Sequence, residues 1–223
     1  MCSCVFTISY FLFLLYIFSM DERNLKTVDY YDKEAQSWSD SHGGNEKVSW
    51  WEKEMETFKS YLPNGSIIEV GAGGGKDAEA LIKLGYDYTG TDASEGLLEL
   101  ARKRNPDTRF FQKYVHELEP SMGLFDGFWA SAVLLHIPRE EIEESLNAIS
   151  SVIKEDGIGF ITMKEGVGER LDTQTGRLFT YYTEDDFSRH LGNTGFSVLR
   201  FEERITEEET WLIFYVKKEP QSL

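Results

Sequence analysis

Cysteine is almost missing from this 223-residue chain, and both copies, Cys2 and Cys4, fall within the first four residues. The rest of the chain can build no disulfide framework, so a reducing, cytoplasmic setting is expected rather than a secreted one. Basic residues are scarce as well: 23 Lys and Arg against 39 Asp and Glu leave a net charge of −16. Proteins that grip nucleic acid neutralise phosphates with a basic face, so no nucleic-acid partner is expected. There is no internal repeat, no low-complexity tract and no linker long enough to separate domains. With 41% hydrophobic residues the chain is too apolar to be disordered, and its length suits one sizeable core better than two.

Charge is absent altogether from Met1 to Met20. A cleavable signal would carry Lys or Arg before its apolar run and small residues after it, and a membrane helix needs about 20 apolar residues, which this run barely reaches. The preferred reading is translation from Met20, with residues 1–19 an apolar extension outside the fold. A membrane anchor, or an uncleaved signal, is the alternative; a membrane is a partner only if that extension is genuinely translated.

What is present from Thr27 onward is an alternation of elements. Trp51, Met55, Phe58 and Leu62 form one stripe of an amphipathic helix that ends at Pro63-Asn64-Gly65. Ser66–Val70 is a short apolar strand running into Gly71-Ala72-Gly73-Gly74-Gly75, followed by a helix carrying Ala78, Leu81 and Ile82. Tyr86–Thr91 is a second strand that ends at Asp92, and Ser94 suits the N-cap of the next helix. Arg109–Phe111 and Phe125–Ala130 are further strands. Pro138 suits the first turn of a helix with the stripe Ile142, Leu146, Ile149 and Ile153, stopped by Gly157, with Ile158–Met163 as the fifth strand. Thr183 caps a helix with Phe187 and Leu191. Phe196–Phe201 and Trp211–Val216 close the chain as an antiparallel hairpin across the acidic connection Glu202–Glu209. Strand–helix alternation of this kind predicts an α/β, doubly wound three-layer sandwich around a mostly parallel sheet.

The glycine loop carries the chemistry. Glycines between a strand and a helix let backbone approach a ligand closely, and ligands of open α/β sheets bind at the carboxyl ends of the strands. Asp92, 21 residues beyond Gly71, stands where an acid accepts hydrogen bonds from a ribose diol. Three other motifs fail. A P-loop needs glycine at position 70 and Ser or Thr at 77, where Val70 and Asp77 stand. A dinucleotide fingerprint needs glycine at 76, where Lys76 stands. Asp92-Ala93-Ser94-Glu95-Gly96 lacks the first glycine of a nucleophile elbow.

The segment IIEVGAGGGKD resembles the first motif of the class I S-adenosylmethionine-dependent methyltransferases, with an acid two residues before GxGxG. YTGTDAS is similar to their second strand, FDGFWASAVLLHIP to their fourth, IKEDGIGFITMKEG to the approach to the fifth, and TYYTEDDFSRHLGNTGFSV to the helix and strand beyond. Tyr31-Asp32-x-x-Ala35-x-x-Trp38 is similar to the YDxxAxxY lead-in helix of small-molecule members, with Trp for the second Tyr. The resemblance spans about residues 27–217. It implies a Rossmann-like methyltransferase fold with seven strands and an antiparallel C-terminal hairpin. Residues 20–223 then form one domain, with lead-in helices over 27–62, a cofactor-binding half over 66–130 and a substrate-side half over 131–217.

The same resemblance implies S-adenosylmethionine as cofactor, with Gly71, Ala72 and Gly73 around its methionine part and Glu69 shaping that end. Asp92 would hold the ribose and Ala93 would lie against adenine. Many relatives place an acid after the third strand; here Tyr114 and Val115 occupy that stretch, and backbone contacts from Val115 would serve instead. Ala130 would line the transfer site, with Tyr31 and Trp38 closing over it. His136, six residues beyond Ala130, is the candidate base, although a packing or capping histidine is its plain alternative. Glu165, Arg177 and Tyr181, beyond the fifth strand, are the candidate acceptor contacts. No metal is expected.

The fourth strand reads Phe128-Trp129-Ala130-Ser131, unlike the motif of nucleobase-amine methyltransferases. No cysteine after Met20 can act as the thiolate of cytosine-C5 enzymes, and no paired-glutamate loop of arginine methyltransferases is recognisable. The expected activity is therefore methyl transfer to an N, O or S atom of a small molecule, and the net charge favours a cationic or neutral one. A methyltransferase-like domain that binds cofactor or partner without catalysis, and an NAD-type oxidoreductase, are the alternatives.

Overall fold

Short apolar runs bounded by glycine or polar turns become strands, and the 3.6-residue stripes between them become helices. A computed structural model describes residues 21–41 and 49–220; the apolar extension 1–19 lies outside the described residues. The chain enters through α1 (Glu22–Lys33) and α2 (Ala35–Ser41) and continues through α3 (Glu52–Tyr61). Then come β1 (Ser66–Val70), α4 (Lys76–Lys83), β2 (Asp87–Asp92), α5 (Glu95–Arg104), β3 (Arg109–Gln112) and β4 (Phe125–Ala130). The second half contributes α6 (Ile142–Ser151), β5 (Ile153–Glu165), β6 (Gly168–Leu171), β7 (Leu178–Tyr182), α7 (Glu184–Asn193), β8 (Phe196–Ile205) and β9 (Thr210–Lys218).

Strands β3, β2, β1, β4 and β5 run parallel in that order, β9 lies antiparallel beside β5, and β8 pairs antiparallel with β9. These seven strands are the expected mostly parallel sheet with its C-terminal hairpin. Both faces are covered, which is why successive residues Phe128 and Trp129 are both fully buried. On one face Trp129 stacks on Phe160 with centroids 3.6 Å apart and meets Phe58 of α3 edge-on. On the other, Phe128 meets Phe196, and Phe187 of α7 meets Phe214.

Nine strands are present among the described residues, because β6 and β7 add a hairpin beyond β5 that the sequence reading does not contain. β7 pairs with only the last two residues of β5, Lys164 and Glu165. β6 is exposed along nearly its whole length, so it carries no alternating apolar signal.

The passage from α6 to β5 also differs from expectation. The helix stops at Ser151, and Ile153 opens β5 opposite Phe125 instead of closing the helical stripe. The 146–149–153 spacing satisfies a helix, yet burial of one apolar residue at a strand start satisfies it equally. Lys218 ends the helix: its ammonium donates to the carbonyls of Ser150 (3.1 Å) and Ile153 (2.8 Å). Gly157 sits within a bulge beside Asp156, whose φ is +65°. Pro138 leads a short 3-10 turn, Arg139–Glu141, ahead of α6. The connection between β8 and β9 is shorter than expected, because the strands extend to Ile205 and restart at Thr210.

The glycine loop is pressed against α5. Gly75 has φ +74°, and a Cβ there would lie 2.8 Å from the Ala101 Cα and from Asn105 Nδ2. Gly75→Ala is expected to lower stability by about 2–4 kcal/mol, combining left-handed strain with overpacking. A denaturant midpoint equal to the parent's would contradict that close approach.

Candidate active site at the carboxyl ends of the parallel strands

The loop is folded by β2. The Thr91 carbonyl accepts the N–H groups of both Gly71 and Ala72 at 2.8 Å, which turns the chain sharply out of β1. Gly71, Gly73 and Gly75 all take positive φ, a conformation that L side chains resist. A Cβ on Gly71 would meet Val133 at 2.5 Å, so the turn after β4 closes one side of the loop. A Cβ on Gly73 would lie 3.7 Å from the Trp38 ring, which covers the other side.

Asp92 ends β2 beneath the loop. Its carboxylate accepts from the backbone N–H of Gly73 and of Ser94, both at 2.8 Å. Burial raises its pKa to about 6, and those two N–H groups oppose the rise. A carboxylate offers about four lone-pair sites, so two backbone donors leave capacity for a diol. The adjoining segments are tied to it: Lys113 N–H donates to the Asp92 carbonyl (2.9 Å) and Gln112 Nε2 to the Ala93 carbonyl (3.0 Å). That brings the segment with Tyr114, half-buried, and Val115, buried, up to the end of β2.

Glu69 is fully enclosed, and Tyr88 donates its hydroxyl to it. Burial pushes this carboxyl well up, with Asp77 and Asp92 adding to the rise. Asp77, not among the expected site residues, is partly buried and accepts from Ser49 Oγ (2.7 Å) and Trp129 Nε1 (3.0 Å). Its only sequence signal was negative, as the residue that breaks the P-loop pattern.

The lead-in segment is two helices, not one. It breaks at Glu34, so α1 presents Asp32 to Ser94 Oγ (2.7 Å) and Gly96 N–H (3.0 Å) while α2 lays Trp38 over Gly73. Tyr31 stands edge-on to Trp38 with centroids 5.6 Å apart. Its hydroxyl lies 2.9 Å from His136 Nε2 and accepts from Arg177 Nη1 at 3.1 Å. His136 Nδ1 lies 2.6 Å from the Leu178 carbonyl. A carbonyl only accepts, so Nδ1 carries the proton and Nε2 presents its lone pair to Tyr31. Burial lowers the His136 pKa to about 4, and the Arg177 and Lys164 charges add to the fall. The imidazole is therefore neutral near pH 7. Burial raises the Tyr31 pKa.

Fifteen expected site residues thus separate into groups. Tyr31, Trp38, Gly71, Ala72, Gly73, Asp92 and Ala93 gather around the loop, Glu69 lies beneath it, and His136 and Arg177 join through Tyr31. Ala130 is fully buried at the end of β4, and the partly exposed turn after it, Ser131–Val133, is what approaches the loop. Tyr181 is half-buried on β7 against Gly166. Glu165 is exposed, on the opposite face of β5 from Lys164. Among the described residues no cluster of three His, Cys, Asp or Glu is placed to hold a metal, and no helix is long and apolar enough to cross a membrane.

A family model described as a methyltransferase domain matches residues 67–157, the stretch from β1 through the start of β5 that holds the loop and Asp92. Over that stretch the chain is similar to the methyltransferase domain that the family model describes. A putative methyltransferase from Geobacillus sp. (strain WCH70) is 29% identical over 118 residues, 49% of this chain and 47% of that protein. The ubiquinone biosynthesis O-methyltransferase of Pelagibacter ubique is 24% identical over 159 residues, 64% of this chain and 65% of its own. The chain thus spans about half the first relative's length and just under two thirds of the second's. Among solved structures, the 1,6-didemethyltoxoflavin-N1-methyltransferase of Burkholderia thailandensis, bound to its namesake and S-adenosylhomocysteine, aligns with TM-score 0.70. Identity there is 21%, over 88% of each chain. The Synechocystis magnesium protoporphyrin IX methyltransferase with bound S-adenosylmethionine aligns at 0.69 with 18% identity, covering 90% of this chain and 99% of that one. At such identities the likeness to these structures is one of fold.

Proposed function

We propose that this chain transfers a methyl group from S-adenosylmethionine to a nucleophilic atom of a small molecule. The observation that carries the reading is the left-handed glycine loop, floored by the Asp92 carboxylate and roofed by Trp38, with the Tyr31–His136 pair at its edge. The residues fit the cofactor. Backbone at Gly71, Ala72 and Gly73 can approach its methionine part, and Asp92 has lone pairs for its ribose hydroxyls. Ala93, Tyr114 and Val115 flank the position for adenine, Glu69 shapes the loop from below, and Ala130 backs the turn toward the acceptor.

When bound, the cofactor supplies a methyl on sulfonium sulfur, taken in-line by an acceptor lone pair as the C–S electrons return to sulfur. The chain's task is alignment, exclusion of water and, for a protonated acceptor, removal of a proton. Trp38 and Tyr31 cover the loop and exclude water. The Tyr31 hydroxyl donates to Nε2 of His136, so it can take the acceptor's proton while passing its own to Nε2. Arg177 and Tyr181 line the acceptor side, and Glu165 stands at its exposed margin. Relatives named for N- and O-methylation bracket the chemistry, and a small-molecule acceptor is in keeping with both.

Calorimetric titration with S-adenosylmethionine, S-adenosylhomocysteine and NAD tests the reading. Micromolar binding of the first two without NAD is expected, followed by turnover on a panel of amines, phenols and thiols. Binding without turnover would leave a non-catalytic cofactor-binding domain, and NAD binding would overturn the assignment.

A further inference from the structure

The net charge of −16 describes the whole surface and not the acceptor side of this site. Arg177 enters the aromatic wall of the site one residue before β7. Its guanidinium carbon lies 4.7 Å from the Tyr30 ring centroid, 5.5 Å from that of Tyr31 and 5.1 Å from that of Phe179. Nε donates to Thr175 Oγ1 (3.2 Å) and Nη1 to the Tyr31 hydroxyl (3.1 Å). No carboxylate pairs with it among the described residues. Asp172, an acid that feels its charge, spends one carboxylate oxygen on Thr175 and Gln174 within its own turn. Lys164, by contrast, is paired with Glu209 at 2.5 Å. A guanidinium carries five N–H donors in a planar fork, and two are used here.

From this arrangement we infer that Arg177 recognises a planar oxyanion on the methyl acceptor, a carboxylate or a phenolate, beside the Tyr31–His136 pair. The inference rests on the methyltransferase reading and deepens it by assigning the acceptor's charge. Three rings surround the guanidinium carbon within 5.5 Å, and three of its five N–H donors remain for pairing with an oxyanion. A cationic acceptor would meet Arg177 and a cationic sulfonium at once, whereas an anion is attracted by both. His136 remains neutral there and so does not compete for the anion.

The test is calorimetric titration of the full chain, saturated with S-adenosylhomocysteine, with benzoate, 4-nitrophenolate and the neutral isostere benzamide. At least one anion is expected to bind about tenfold or more tightly than benzamide, in line with a charge-assisted hydrogen bond. Preference for benzoate assigns a carboxylate, and preference for 4-nitrophenolate assigns a phenolate. Arg177→Met, which keeps much of the packing volume, is expected to abolish the preference, and Arg177→Lys to retain part of it. Anions no better than benzamide, or a preference unchanged in Arg177→Met, would overturn the inference. Binding of S-adenosylhomocysteine is read in the same titrations. If it fails, the methyltransferase reading fails; if it holds while the anion preference is absent, only the Arg177 assignment falls. Melting temperatures of both variants separate loss of the site from loss of the fold.

Discussion

Asp92→Asn is expected to weaken S-adenosylmethionine binding by about ten- to a hundredfold while removing the fall in stability of the ligand-free protein between pH 4 and pH 6. The two effects have one origin. Burial raises the Asp92 pKa from the ordinary carboxylate range to about 6, so ionising this group in the folded chain has a free-energy cost. Between roughly pH 4 and pH 6 the folded state holds a proton that the unfolded state has released, and stability falls as pH rises through that window. Above it the penalty is complete, on the order of 1–3 kcal/mol, and a neutral asparagine avoids it. The asparagine amide accepts through its single oxygen, so one of the Gly73 and Ser94 N–H groups loses its acceptor, and it lacks the charge that strengthens hydrogen bonds from a ribose diol, a loss of about 1.5–3 kcal/mol. Calorimetry at pH 7 reads the affinity, and thermal unfolding across pH 4–8 reads the stability. An unchanged dissociation constant would remove the ribose role. A parent whose stability does not decline between pH 4 and pH 6 relative to Asp92→Asn would remove the electrostatic account.

Loss of His136 carries the second large effect. With an acceptor that must give up a proton, His136→Ala is expected to lower kcat by about 10²–10⁴ and leave cofactor affinity within a factor of two. Tyr31→Phe breaks the same contact from the other side, and its decrease in kcat is expected to fall in the same range. The double variant should then be little worse than either single one, because the two groups act as one unit. The pH profile has a definite sign. A histidine lowered to about 4 stays neutral through pH 5–8, so the rate should show no acidic limb near the usual histidine range. Its effect on stability runs opposite to that of Asp92: a depressed base contributes fully above about pH 6.5 and is lost as pH falls toward 4. A rate profile with a limb near pH 6.5, abolished in His136→Ala, would show that the imidazole is solvated and the burial argument wrong. An unchanged kcat in both variants would return His136 to a packing role.

Gly71 to Gly75, Asp92 and the capping residues Ser94 and Thr183 were legible from the chain alone, because each answers a local requirement. A strand that turns directly into a helix needs positive φ, and a helix start needs a side-chain acceptor; Ser94 Oγ accepts from Leu97 N–H as its position implied. The strands β1, β2, β4 and the closing hairpin were legible for a related reason, since short apolar runs between turn residues have few other ways to bury themselves. The β6–β7 hairpin was not, because its outer strand is exposed and its partner is held by two residues at the end of β5.

Sequence by itself determined the alternation of elements, the glycine loop and the acid at the end of β2, because those depend on neighbours along the chain. Only the tertiary structure decided that Tyr31, His136 and Arg177 meet, across separations of 105 and 146 residues. Nothing in local spacing encodes that contact. It follows from the order in which parallel strands bring β4 and β7 to one end of the sheet, and from the break at Glu34 that lays α2 over the loop. The same packing gave Asp92 and His136 their opposite pKa shifts, since desolvation is a property of what surrounds a group and not of its place in the chain.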